Sequence, residues 1–181
     1  NTVWVDGTYN YYNYAALYCY YYPYYSNIRN NILISTGSTL VISLYRPYSL
    51  NSCDYNLYYH TGPANYYFAY GGTSMTYASF KNSTTYSGTH DQNSYYQVDP
   101  EVISQDDLHL IKGSIGLQGT LISGNDYDVD LDPRCKLTSF VGADEPKWKT
   151  AANDFVADDT MCLYTPLVFY NTGIEDDPHN T

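Results

Sequence analysis

The chain is short of positive charge. Eight Lys and Arg residues face nineteen Asp and Glu, for a formal net charge of −11. Such a surface repels phosphate backbones and anionic headgroups, which argues against nucleic-acid partners and against binding to acidic lipid. Long apolar runs are also missing. No stretch reaches the roughly 18 consecutive apolar residues that a membrane-spanning helix requires, so no membrane insertion is expected. The four cysteines, Cys19, Cys53, Cys135 and Cys162, include no C-x-x-C pair, so spacing supports neither a zinc knuckle nor a thioredoxin-type motif. There is no H-E-x-x-H and no G-x-S-x-G. The four histidines are scattered, and His90-Asp91 forms at most half of a catalytic pair. The glycines of KGSIGLQG (Gly113, Gly116, Gly119) open no helix, so they read as bulged strands rather than a phosphate loop. These absences together point to a protein that is not an enzyme.

What the chain has instead is tyrosine, 25 residues of it. The stretch Tyr9–Tyr25, YNYYNYAALYCYYYPYY, is the densest part. Aromatic rings lose side-chain freedom in a helix and suit a pleated surface, so the stretch reads as one long strand. With period two, Tyr12, Tyr14, Tyr18, Tyr20 and Tyr22 share a face, which suits burial against a partner or an aromatic core. Trp4 in the opening strand, and Phe169 and Tyr170 in the last apolar segment, are further interface candidates. Doubled tyrosines at Tyr58-Tyr59, Tyr66-Tyr67 and Tyr95-Tyr96 offer rings for stacking on sugars, or else straddle the two faces of a strand.

Short β-branched and apolar runs punctuated by Gly, Pro and Asn recur along the chain, with little helix expected. Ile32–Tyr45, with Gly37 between two apolar arms, reads as a hairpin. Ser74–Phe80 reads as a strand, Lys81–Ser94 as a long polar loop, and Asp144–Asp159 as the one longer helical segment. The fold class expected is all-β, an antiparallel β-sandwich, Ig-like or jelly-roll-like, with many short strands. No internal repeat of fixed period stands out. Residues 1–181 read as a single β domain, divisible at Asp99-Pro100 into a Tyr-rich half, 1–99, and an acidic half, 100–181. The first hundred residues carry three basic and four acidic side chains, and the remainder five and fifteen.

An even count of widely spaced cysteines suggests two disulfides in an oxidising compartment, with Cys19–Cys53 and Cys135–Cys162 the pairing that staples each half to itself. The chain opens NTVWVDG without Met, which reads as a mature form whose leader has been removed. Asn82-Ser83-Thr84 is an N-glycosylation sequon, expected on an exposed loop. Asp126, Asp128, Asp130 and Asp132 alternate with other residues, so an extended strand would line four carboxylates on one face, where calcium would neutralise their repulsion.

The enrichment in Tyr, Asn, Ser and Thr, the scarce lysine, the paired cysteines and the short strands resemble the secreted filament and surface-appendage subunits of hyperthermophilic archaea. The resemblance is compositional and covers residues 1–99 best. It implies β subunits joined by strand exchange, surface glycans, and calcium in some assemblies. The expectation is therefore an extracellular structural protein that self-assembles through edge or terminal strands. Asn1–Thr8 and the segment after Cys162 are the candidate donors. The alternative is a monomeric secreted module that binds a glycan or small ligand on a sandwich or lipocalin-like barrel.

Overall fold

A computed structural model of the chain describes residues 1–7, 14–20, 26–46, 50–62, 66–85, 88–111, 117–134, 139–145, 155–156 and 170–171. Within them the chain is mostly β. Three seven-residue blocks organise it: NTVWVDG at 1–7, NILISTG at 31–37 and NLYYHTG at 56–62. Each opens on Asn and closes on Gly, and each holds a strand: β1 (Thr2–Gly7), β4 (Ile32–Gly37) and β7 (Leu57–His60). These strands pair in parallel, so Val3, Leu33 and Tyr58 stand at one level and Trp4, Ile34 and Tyr59 at the next. The short strand β12 (Tyr95–Tyr96) extends the sheet in the same sense beside β7.

Between these blocks the chain travels through two further sheets. β2 (Ala15–Cys19), β5 (Leu40–Leu44) and β8 (Phe68–Tyr70) pair in parallel, and β9 (Thr73–Met75) turns back antiparallel on β8. β3 (Asn27–Arg29) pairs in parallel with β6 (Ser52–Asp54). The first two circuits thus run through three sheets before returning one level on, and the third has described strands in two of them. This is a parallel β-helix. Two short antiparallel pairs lie outside the circuits: β10 (Thr84–Thr85) with β11 (Gly88–Thr89), and β13 (Phe155–Val156) with β14 (Tyr170–Asn171).

Two corners set this path. At the first, Gly7, Gly37 and Gly62 approach one another so closely that a Cβ on Gly62 would overlap the Gly37 carbonyl oxygen, and one on Gly37 would overlap that of Gly7. Only glycine lets successive backbones meet there. At the second, Asn30 and Tyr55 take left-handed backbone angles, both at φ 55°. The asparagines that follow stack through the interior. Asn1 Nδ2 donates to Asn31 Oδ1 at 3.0 Å, and Asn31 Nδ2 donates to Asn56 Oδ1 at 2.9 Å. Asn56 Nδ2 donates to the Ile28 carbonyl at 3.0 Å, and the Asn56 backbone N–H donates to Ser94 Oγ, also at 3.0 Å. Such stacking satisfies polar groups that burial would otherwise leave at a cost of about 1–3 kcal/mol each.

Inside the circuits lies a core of Leu33, Val41, Leu44, Leu50, Tyr58, Tyr67, Phe68 and Phe80. The helix α1 (Tyr77–Lys81) lays the wholly buried Phe80 against it. Thr76 caps this helix, its hydroxyl accepting from the Ser79 N–H at 3.3 Å. Outside the first sheet lies a second core. Ile32, Ile34 and Leu57 pack there with Val102 and Val141, with Trp4, Tyr59, Leu110 and Leu117 around them. Residues beyond 100 therefore cover the outer face of that sheet.

Several expectations are corrected. The sheets are predominantly parallel, so the circuits do not form an antiparallel sandwich. Ile32–Tyr45 is not a hairpin, since β4 and β5 belong to different sheets. The physical sign is burial. Every residue of β5 is buried, whereas a hairpin with one wet face would alternate. Ser74–Phe80 divides into β9 and α1. The polar segment that follows contains the β10–β11 hairpin. Within Asp144–Asp159, residues 155–156 are strand rather than helix. Cys19, on β2, and Cys53, on β6, are free thiols, so the expected bridge between them is not formed. Cys135 and Cys162 lie outside the described residues. Among those described, no helix is long and apolar enough to cross a membrane.

The asparagine stack makes a direct prediction. Asn56→Ala removes the acceptor of the Asn31 backbone N–H and the side-chain donor to the Ile28 carbonyl, and should lower the unfolding free energy by about 2–3 kcal/mol in urea titration. A loss under about 0.5 kcal/mol, the range of an ordinary surface change, would show that the stack does not hold the circuits together.

Candidate functional site

All three strands of the first circuit lie at sheet edges. Among the described residues β1, β2 and β3 each pair on one side only, with β4, β5 and β6 respectively. An edge strand leaves N–H and C=O groups free to template another strand. Natural sheets guard such edges with charge, yet residues 1–29 hold only Asp6 and Arg29 as charged side chains.

The tyrosine stretch belongs to this circuit. Its described part is β2 with a tyrosine at either end, shorter than the strand expected. Leu40 N–H donates to the Tyr14 carbonyl at 3.0 Å, and Tyr45 N–H donates to that of Cys19 at 2.8 Å, tying β2 to the circuit below. Tyr14 and Tyr20 are 48% and 44% exposed. Tyr20 stacks on Tyr45 with ring centres 5.1 Å apart and lies 5.9 Å from Tyr18. Trp4 is half-buried, its indole N–H reaching Thr36 Oγ1 at 3.4 Å. Tyr12, Tyr22 and Phe169 lie outside the described residues. Tyr170 is in β14, in register with Val156.

The doubled tyrosines divide between faces. Tyr58 and Tyr67 are buried, Tyr59 and Tyr95 half-buried in the outer core, and Tyr66 and Tyr96 exposed. Asn82, the sequon asparagine, is exposed at the C-cap of α1.

The acidic segment is a turn, not an extended ladder. Tyr127 bridges Pro133, and the Arg134 N–H donates to the Asp126 carbonyl at 2.8 Å. Asp128 is buried and turned inward. It accepts from the N–H groups of Asp130 and Asp132, both at 2.9 Å, and of Glu145 at 3.3 Å. Its neighbour in the fold is the buried Arg134–Glu145 ion pair, 2.6 Å long. Asp126 and Asp132 are exposed. Asp130 holds His109 Nε2 at 3.0 Å, and Asp107 holds His109 Nδ1 at 2.6 Å. The four carboxylates therefore do not share one face.

A second cluster is buried beneath α1, and sequence reading saw only part of it. The β10–β11 hairpin pairs Thr84 with Thr89, which places Ser83 opposite His90. Ser83 Oγ lies 2.9 Å from His90 Nε2, and His90 Nδ1 lies 2.6 Å from Asp91 Oδ2. The other Asp91 oxygen accepts from Tyr58 at 2.6 Å and Ser94 at 2.7 Å. Burial first, and then the Asp91 charge, push the Cys53 thiol and the Tyr58 phenol well above their ordinary values. Both stay protonated near neutral pH and serve Asp91 as neutral partners. Cys53, His90 and Asp91 place metal-ligating atoms within 4.8 Å of one another. A divalent cation there would have to displace the thiol proton and the donors on Asp91. The hydrogen-bond network is complete in itself, so its chemistry is proton placement. The His90-Asp91 dipeptide was visible in the sequence. Its link to Ser83 depends on the hairpin, which short polar strands gave no period to reveal.

Comparison with protein-family models, with curated proteins and with solved structures found no match.

The His109 bracket sets a pH dependence. Hydrogen bonds to Asp107 and then Asp130 raise the His109 value, so the charged imidazole is favoured in the fold. Its contribution is complete below about 6.5, the ordinary histidine value, and is lost as pH rises through the raised one. The NMR titration midpoint of His109 should lie above that of an unstructured histidine, and Asp130→Asn should move it down. A midpoint unmoved by Asp130→Asn would remove the bracket.

Proposed function

We propose that this is an extracellular structural protein that self-assembles through the edge strands of its first circuit. The single-sided pairing of β1, β2 and β3 carries this reading. A parallel circuit buries its apolar interior only when another layer covers it, and a second copy of the chain supplies strands of matching spacing. The lack of lysine at that edge leaves such pairing unopposed, and the exposed Tyr14 and Tyr20 rings add amphipathic contact area. Exposed apolar side chains beyond residue 100, among them Leu121, Val129 and Leu131, are in keeping with a chain that makes contacts with others. An exposed sequon asparagine fits a secreted product.

Light scattering and electron microscopy of the purified chain test the proposal, with calcium and with a chelator. Wild type should form dimers or larger assemblies whose mass grows with concentration. Tyr14→Lys with Tyr20→Lys places two positive charges beside the edge. It should reduce the assembled fraction about tenfold or more, a change of roughly 1.4 kcal/mol, with circular dichroism unchanged. A wild-type chain that stays monomeric at every concentration would contradict it.

A further inference from the structure

We propose that Ser83 is an activated nucleophile, with His90 as its general base and Asp91 as the positioning group, and that the chain transfers acyl groups from carboxylic esters. This activity is additional to assembly and does not depend on it.

Three observations carry the inference. The first is connectivity: hydroxyl to imidazole at 2.9 Å and imidazole to carboxylate at 2.6 Å, through opposite ring nitrogens. A nucleophile in reach of a base that a third group orients is the arrangement covalent catalysis needs. The second is a gradient of burial. Asp91 and His90 are 0% and 3% exposed, while Ser83 is partly exposed. Ser83 is thus the one member of the three with solvent-exposed surface. The third is fixation of the base. Tyr70 lies near-parallel to the His90 ring at 5.9 Å, and Phe80 meets it edge-on at 4.8 Å. Tyr58 and Ser94 hold the carboxylate in turn, so the imidazole is set before any substrate arrives.

The Ser83 hydroxyl has two acceptors, His90 Nε2 and the Phe80 carbonyl at 2.5 Å. Rotation about Cβ–Oγ moves the proton between them without moving a heavy atom. With the proton directed at Nε2, Oγ attacks the ester carbonyl carbon and the proton passes to His90. The imidazolium is balanced by Asp91. The carbon–oxygen bond to the alcohol then breaks, the alcohol leaves with the proton from Nε2, and an acyl-serine remains. Water attacks that ester, gives its proton to His90, and releases the acid as Ser83 recovers its own. No oxidant or further reactant enters.

The full chain, incubated with an alkyl fluorophosphonate and digested for mass spectrometry, provides the test. Fluoride leaves as Oγ bonds phosphorus. We expect one adduct, at Ser83, forming about 100-fold or more faster than at any other serine, the scale of general-base assistance. With p-nitrophenyl acetate, a burst of one nitrophenol per chain should appear and should vanish in Ser83→Ala. Asp91→Asn should slow labelling about 100-fold, and Asp91→Glu should restore part of it, which a merely structural role for the carboxylate would not produce. Labelling spread evenly over the serines of the folded wild-type chain, or no adduct at Ser83, overturns the proposal. Should the Asp91 variants unfold, the wild-type adduct and Ser83→Ala decide it alone.

Discussion

The amide of Asn56 is the point at which the circuits are joined. Its oxygen accepts from both the backbone and the side chain of Asn31, while its nitrogen donates to the Ile28 carbonyl and to the Tyr58 hydroxyl. The Tyr58 hydroxyl in turn donates a hydrogen bond to Asp91. One continuous set of hydrogen bonds therefore runs from Asn1 through the asparagine stack to the buried carboxylate and on to His90. In a low-dielectric interior such a set is valuable when complete and costly when broken. It fixes the corner at which each circuit turns, and that corner sets the register of the parallel strands. The glycines at the opposite corner do the complementary steric work, because side chains there would hold successive backbones apart.

Two consequences follow for function. Parallel circuits satisfy their neighbours above and below, so the structure ends wherever pairing ends. Among the described residues α1 and its Phe80 side chain close off the core away from the first circuit. The edge of that first circuit is flanked by tyrosine and almost free of charge. The same hydrogen-bond set that builds the interior also delivers an oriented imidazole to Ser83 at the far end. The proposed assembly edge and the proposed nucleophile thus lie at different ends of one framework.

Much of this was written in the sequence in a form that period-based reading passes over. The β content was legible from the short apolar runs, and the exposure of Asn82 from the sequon. The three N-x-x-x-x-x-G blocks that carry the parallel strands are unequally spaced because the excursions between them differ in length, and the same spacing also occurs at 65–71 and 82–88. A search for a fixed period therefore finds nothing. Ile32–Tyr45 looked like a hairpin because a glycine separates two apolar arms. The clue against that was the near-absence of polar alternation, which means both faces are covered. The alternating aspartates looked like a strand because period two is shared by a strand and by a turn in which one carboxylate folds back on backbone N–H groups. The cysteine count suggested bridges, but parity does not report geometry, and Cys19 and Cys53 are free thiols. Ser83 meets His90 only through a hairpin whose paired residues are polar and few.

The central claim is that, among the described residues, β1, β2 and β3 of the first circuit form an open edge on which another copy can pair. Hydrogen–deuterium exchange followed residue by residue at several protein concentrations tests it most directly. The account predicts that amides of β4, β5 and β7, paired on both sides, are strongly protected at every concentration. Protection of β1 and β2 should rise with concentration as copies stack. If β1 and β2 are already as protected as β4 and β5 at the lowest concentration and do not change, the edge is not open and the account is wrong.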